Sequence, residues 1–137
     1  IFDRTIEHNG LKETANRLGK GIIAFSPLAQ GLLTDRYLHG IPADSRVRTD
    51  GRFLKESTLT EEKLAQIRAL NEIAAARGQT LAEMALAWIL KDGQVTSVLI
   101  GASRPEQILD NIKALDNTTF TAEELEAIDK ASGYSKE

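Results

Sequence analysis

The sequence contains no cysteine and only three prolines, two histidines, one methionine and one tryptophan among its 137 residues. Without cysteine there is no disulfide, no thiol nucleophile and no thiolate-held metal, and a reducing cytoplasm is the expected compartment. Two histidines without an HExxH pattern argue against a histidine-built centre, so no metal site is expected. No apolar run approaches the roughly 18 residues of a membrane span, and no signal-like segment opens the chain. Seventeen basic against twenty acidic side chains leave a net charge of −3, so the basic excess of a nucleic-acid binder is missing. Neither membrane nor nucleic acid is an expected partner. What is present is a chain 42% hydrophobic and one ordinary domain long, which suits a globular protein.

The chain opens on Ile1-Phe2-Asp3-Arg4 without an initiating Met and reads as cut from inside a longer protein. Leu11 to Leu18 predicts a short helix closed by Gly19 and Gly21. Ile22-Ile23-Ala24-Phe25 is continuously apolar and predicts a strand buried on both faces, ended by Ser26-Pro27. Residues 28–59 predict a long irregular stretch with five cationic side chains (Arg36, Arg46, Arg48, Arg52, Lys55) against four anionic ones. Stretches of that length are binding loops, lids or solvated surface.

The remainder predicts helices with one interruption. Thr60 opens a helix with Glu61 and Glu62 in its first turn and an apolar stripe through Leu64, Ile67, Leu70, Ile73 and Ala74. Thr80-Leu81-Ala82-Glu83 is a capping box before a helix expected to bury Met84, Trp88 and Ile89. Val95 to Ile100 predicts the second strand. Ser103-Arg104-Pro105-Glu106 predicts another capping box, leading into Ile108, Ile112 and Leu115, and Thr121 to Glu124 a third, leading into Leu125 and Ile128. This order implies parallel strands joined by right-handed crossovers. Two strands, or three if Ile1-Phe2 ends another, make a poor sheet alone, since parallel strands need both faces and both neighbours covered. The expected fold class is therefore α/β: one segment, residues 1–137, forming an incomplete C-terminal portion of a (β/α)8 barrel.

Two segments carry chemistry. In Val98 to Arg104 a strand runs through Gly101 into a helix start, which offers free N–H groups and a positive dipole end to an anion. Arg104 adds a fork of donors matched to phosphate oxygens. The plainer alternative is Ser103 as a helix cap beside a solvated Arg104. Phe25 to Thr34 lies at the C-terminal end of the first strand, where barrel sites are built and an aromatic ring can stack on a planar heterocycle. Its plainer alternative is a core Phe followed by an ordinary turn.

Phe25-Ser-Pro-Leu-Ala-Gln-Gly-Leu-Leu-Thr34, Gly40-Ile-Pro-Ala-Asp-Ser-Arg46 and Val95-Thr-Ser-Val-Leu-Ile-Gly-Ala-Ser-Arg104 resemble the C-terminal part of an aldo-keto reductase. Glu106-Gln107 followed by Asn111 also matches the family pattern. The branch most resembled holds bacterial glyceraldehyde-3-phosphate reductases and potassium-channel β-subunits. The resemblance implies a (β/α)8 barrel of which this chain is the last two to three βα units, with NADPH as cofactor. Phe25 would stack on the nicotinamide, with Ser26, Pro27, Leu28 and Ala29 along the cofactor's middle. Gln30, Gly31, Thr34, Arg36 and Arg46 would form the loop over the pyrophosphate. Gly101, Ser103 and Arg104 would hold the 2′-phosphate, with Gln107, Asp110 and Asn111 around the adenine. Family members usually carry lysine at the Arg36 position and glutamate at the Asp110 position.

The resemblance also implies a catalytic Asp, Tyr, Lys and His from the barrel's first half, and none of their motifs is present. No catalytic residue is therefore expected in this chain. Tyr37 and Tyr134 lie outside the family's catalytic motif, and His8 and His39 are expected at the surface. The implied partners are a small carbonyl substrate, the missing N-terminal half of the barrel and further copies in a homo-oligomer. The implied activity is reduction of aldehydes or ketones to alcohols by hydride transfer, with an NADPH-sensing subunit resembling channel β-subunits as the alternative. Without the resemblance, a stand-alone module for a phosphorylated ligand also fits these residues.

Overall fold

Side-chain oxygens start three of the main helices. In the computed structural model, which describes residues 1–43 and 55–135, Thr60, Thr80 and Thr121 each accept the backbone N–H three residues on, at 3.1 Å. Glu83 and Glu124 return the favour to the Thr80 and Thr121 N–H groups, completing two of the predicted boxes. The elements are α1 (Thr5–His8), α2 (Leu11–Arg17), β1 (Ile23–Ala24), α3 (Glu61–Ala76), α4 (Leu81–Leu90), β2 (Ser97–Val98), α5 (Pro105–Ile112) and α6 (Ala122–Ser132). Single 3-10 turns interrupt the stretch after β1, at Ala29–Gly31, Asp35–Tyr37 and Glu56–Thr58.

The third box differs from expectation. Arg104, not Ser103, takes the cap position of α5, and its side chain has no acceptor. Gln107 does the work instead: its Oε1 accepts the Ser103 N–H at 2.8 Å, the Arg104 N–H at 3.2 Å and the Ser103 hydroxyl at 3.2 Å.

The core lies among the helices. α3 packs on α4 and α6, burying Ile67, Leu70, Ala74, Leu81, Met84, Ala85 and Ile128, while Trp88 is buried and Ile89 only half so. The sheet is smaller than predicted. β1 and β2 pair in parallel over two residues each, Ile23 opposite Ser97 and Ala24 opposite Val98, and Ile1-Phe2 forms no strand. Nor are the strands buried on both faces. Ile23, Phe25 and Leu99 are 65%, 79% and 58% exposed, whereas Ile22, Ala24, Val98 and Ile100 are half-buried. Alternate residues of a strand point to opposite faces, so helices cover one face and the other is bare. The same shortage of neighbours leaves Ile108, Ile112 and Leu115, expected to lead a packed helix, about half exposed or more.

Buried cations tie the elements together. Arg4 lies between the Trp88 and Tyr134 rings and meets Asp129 Oδ1 at 2.6 Å, joining the chain's start to α6. Lys12 is 4% exposed, and its Nζ reaches Glu7 Oε1 at 2.7 Å and Asp92 Oδ2 at 2.8 Å, joining α2 to the turn before β2. Burial pushes the Glu7 and Asp92 carboxyls up, but the Lys12 ammonium, joined by Lys91 and at Asp92 by the Gln94 N–H, outweighs it and leaves both below their ordinary values. Groups depressed in this way stabilise the fold above their unfolded pKa, and that stability is lost as pH falls through the folded value. Lys12→Met should therefore cost about 2 kcal/mol in urea unfolding by stranding two partly buried carboxylates. The parent chain should lose stability below about pH 4, and the variant should lose less over that range. Equal pH slopes for both would show that the carboxylates are not coupled to Lys12.

Candidate functional site

Pairing of the two strands brings both chemistry-bearing segments to one edge. The Leu99 N–H donates to the Ala24 carbonyl at 2.8 Å, so Phe25 and Leu99 leave the sheet side by side in the same direction. At the opposite end the Thr96 hydroxyl accepts the Ile22 N–H at 3.1 Å. A Cβ on Gly21 would sit 2.9 Å from that hydroxyl oxygen, so only glycine admits this close approach. Phe25 lies on the bare face with its ring open to solvent, not in a core.

The segment after Phe25 is a strained turn. Among the described residues the non-glycine positions with positive φ are Ser26 (51°), Ala29 (49°) and Gln30 (61°), and Gly31 follows at 94°. Each non-glycine residue held there costs roughly 1–2 kcal/mol, so the turn needs support. The Ala29 N–H donates to Ser26 O at 3.1 Å, and the Gly31 and Leu33 N–H groups share Leu28 O at 3.0 and 3.1 Å. The Thr34 hydroxyl donates to Gly31 O at 2.7 Å and accepts the Arg36 N–H at 3.2 Å. Leu32, Leu33 and Tyr37, all nearly inaccessible, root the segment in the helical core. Pro27, Leu28 and Ala29 are half-buried beside it, while Gln30 and Arg36 are exposed. Arg46, expected in the same loop, lies outside the described residues.

The second segment is built on the start of α5. Gly101, Ser103 and Arg104 are exposed, and nothing lies within 4 Å of where a Gly101 Cβ would be. Gln107 joins them through the three bonds already described, so this junction is one unit. Asp110 and Asn111 diverge from it. Asp110 pairs with Lys113 at 2.8 Å on the surface and raises that ammonium's pKa, an exposed pair contributing little to stability. Asn111 faces a recess of about 310 Å³ between α4, β2 and α5, lined by Leu86, Leu90, Val98, Ile100 and Leu115. The structure thus groups Gly101, Ser103, Arg104 and Gln107, and separates Asp110 from Asn111.

Chemically, the edge offers an open aromatic ring beside a rigid turn, and beyond it the positive end of α5 with one guanidinium. That combination suits an elongated anionic ligand with a planar ring. Among the described residues no cluster of three or more His, Cys, Asp or Glu side chains could hold a metal, and no helix is long and apolar enough to cross a membrane. His8 and His39 are exposed as expected, and His8 stacks on Tyr134, whose hydroxyl lies 2.7 Å from Nε2. Sequence reasoning missed the burial of Tyr37. No local pattern signals it, because the 3-10 turn Asp35–Tyr37 is placed by its packing on α3.

Residues 1–132 match the Aldo/keto reductase family. L-glyceraldehyde 3-phosphate reductase of Escherichia coli O157:H7 is 53% identical over 133 residues, covering 95% of this chain and 38% of that protein. A putative voltage-gated potassium channel subunit beta of Schizosaccharomyces pombe is 39% identical over 121 residues, covering 85% of this chain and 35% of that protein. The structure of a glycerol dehydrogenase from Gluconobacter oxydans superposes with a TM-score of 0.72 at 29% identity, covering 95% of this chain and 39% of that one. The chain therefore spans about two fifths of the length of the relatives it matches. With its paired parallel strands and crossover helices it is a C-terminal portion of a (β/α)8 barrel. This chain belongs to the aldo/keto reductase family.

Proposed function

We propose that this chain is the cofactor-binding portion of an NADPH-dependent aldo-keto reductase that reduces aldehydes or ketones to alcohols. The observation that carries the reading is the common edge of β1 and β2, from which Phe25 and the Gly101–Gln107 junction both emerge. The residues present fit the cofactor. An exposed ring stands where a nicotinamide would stack, and a helix start with Arg104 suits a 2′-phosphate. When bound, NADPH supplies the hydride.

The chain's own side chains then orient and hold. Phe25 presents its ring face, and the fixed turn through Ser26, Pro27, Leu28 and Ala29 gives the cofactor's middle a rigid wall. Gln30, Gly31, Thr34, Arg36 and Arg46 belong to the loop over the pyrophosphate, with Thr34 acting through its bond to Gly31 O. Gly101 leaves room for close approach, the Arg104 guanidinium supplies donors beside Ser103, whose own donors are held by Gln107, and Gln107 and Asn111 stand along α5 for the adenine. Asp110, engaged by Lys113, contributes charge at that end. The bare sheet face and the recess beside α5 are where the rest of the barrel would pack, bringing the catalytic Asp, Tyr, Lys and His. Residence in the cytoplasm and assembly into a homo-oligomer are part of the same proposal.

The relative at 53% identity makes a phosphorylated three-carbon aldehyde the first substrate to assay. The relative named as a channel subunit supports a second reading, a subunit that binds NADPH and regulates a partner. Turnover by the full natural chain separates the two.

Arg104→Ala in the full natural chain should weaken NADPH at least about tenfold more than NADH, because one charge-assisted phosphate contact is lost. Equal losses for the two cofactors, measured by fluorescence titration, would remove Arg104 from the 2′-phosphate. The 137 residues alone should oxidise no NADPH in the presence of any carbonyl compound. Turnover matched to carbonyl loss would place the proton donor within this chain.

A further inference from the structure

We infer that Tyr37 is a positioning residue, whose ring holds the left-handed turn Ala29-Gln30-Gly31 in the shape the cofactor loop presents. The assignment rests on the reading of that loop given above.

Strain and support meet at this point. Ala29 and Gln30 both carry positive φ without being glycine, so the turn would relax toward ordinary backbone if released. Hydrogen bonds alone do not hold it, since those closing the turn stay within Ser26 to Thr34 and travel with it. The anchor is apolar. Tyr37 is 1% exposed on the 3-10 turn Asp35–Tyr37, which packs against α3, and it shares the core cluster with Leu32, Leu33, Leu64 and Ile67. Its ring reaches the turn at Gly31, with Cε2 3.8 Å from where a Gly31 Cβ would stand. Ala29 and Leu28 pack partly against the same cluster.

The hydroxyl separates packing from bonding. Tyr37 Oη makes no hydrogen bond among the described residues although the side chain is buried, an arrangement that contributes no favourable energy from the oxygen. What Tyr37 supplies is therefore the ring, and phenylalanine should replace it.

The test uses the full natural chain with Tyr37→Phe, Tyr37→Leu, and Tyr37→Leu combined with Ala29→Gly and Gln30→Gly. Two quantities are read: amide hydrogen exchange of residues 26–34, and the NADPH dissociation constant. Tyr37→Phe should leave both within about twofold of the parent, since no bond is lost. Tyr37→Leu should speed exchange in that segment while α3 and α4 keep their protection, and should raise the dissociation constant about tenfold, the equivalent of one residue's left-handed penalty. The two glycines should recover most of that loss, because they remove the strain that the ring opposes. If Tyr37→Leu does not fold, Tyr37→Met, which keeps an apolar side chain of similar reach, takes its place in both comparisons. A Phe variant as impaired as the Leu variant would overturn the assignment, as would a uniform rise in exchange with no rescue by glycine. Should the parent chain bind no dinucleotide while the exchange pattern holds, the cofactor reading falls and the positioning of the turn by Tyr37 stands.

Discussion

The parallel pairing of β1 with β2 is the constraint on which the site depends. One hydrogen bond at its end, Leu99 N–H to Ala24 O, sets Phe25 beside the segment leading to Gly101. A slip of one residue would turn Phe25 from the bare face into the helices, because side chains alternate along a strand. The register is supported from the other end by Thr96, whose hydroxyl takes the Ile22 N–H in the space that Gly21 leaves open. Two strand segments nearly 75 residues apart in sequence thereby act as one edge.

Such a short sheet holds its place because the helices behind it are well packed. α3, α4 and α6 enclose the apolar core, and Arg4, Lys12 and Arg77 cross-link their ends through carboxylates and carbonyls. Each cation is almost wholly buried and multiply bonded, as burial of charge requires. The sheet's other face has no such cover. Ile23, Phe25 and Leu99 present apolar surface in a row, as do Ile108, Leu109 and Ile112 along α5. These are the surfaces a barrel closes over, and they account for a chain whose core is helical although its fold is organised by strands.

Backbone strain of the left-handed kind gathers, among the described residues, at the edge where the candidate site lies. Among the described residues the left-handed non-glycine positions all fall between Ser26 and Gln30. Buried Leu33 and Tyr37 lie a few residues downstream, so the stress and its anchor belong to one continuous segment. The other half of the candidate site has the opposite character: α5 begins with regular geometry, and Gln107 accepts the N–H groups of Ser103 and Arg104 just before its first turn. The candidate site thus pairs a strained, buried-anchored turn at one end with a helix start closed by Gln107 at the other.

Much of this was legible from residues alone. Thr60, Thr80 and Thr121 announced their helices because capping is a contact between neighbours three positions apart. The strand-to-loop junctions at Phe25 and Gly101 were legible for the same local reason, as was the need for more strands than the chain holds. The cap at α5 was misplaced by one residue: Ser103 with Glu106 fits the local pattern, but in the folded chain Gln107 Oε1 takes the Ser103 and Arg104 N–H groups and the helix starts one position later. Asp110 and Asn111, adjacent in sequence, parted company because Lys113 claimed one and the recess the other. What the amino-acid order determined was the local elements and the family they belong to. The tertiary structure decided which apolar side chains stay bare, where Tyr37 is buried, and that Ala29 and Gln30 take a backbone shape their own preferences oppose. Those outcomes depend on contacts between distant segments, which no window of neighbouring residues contains.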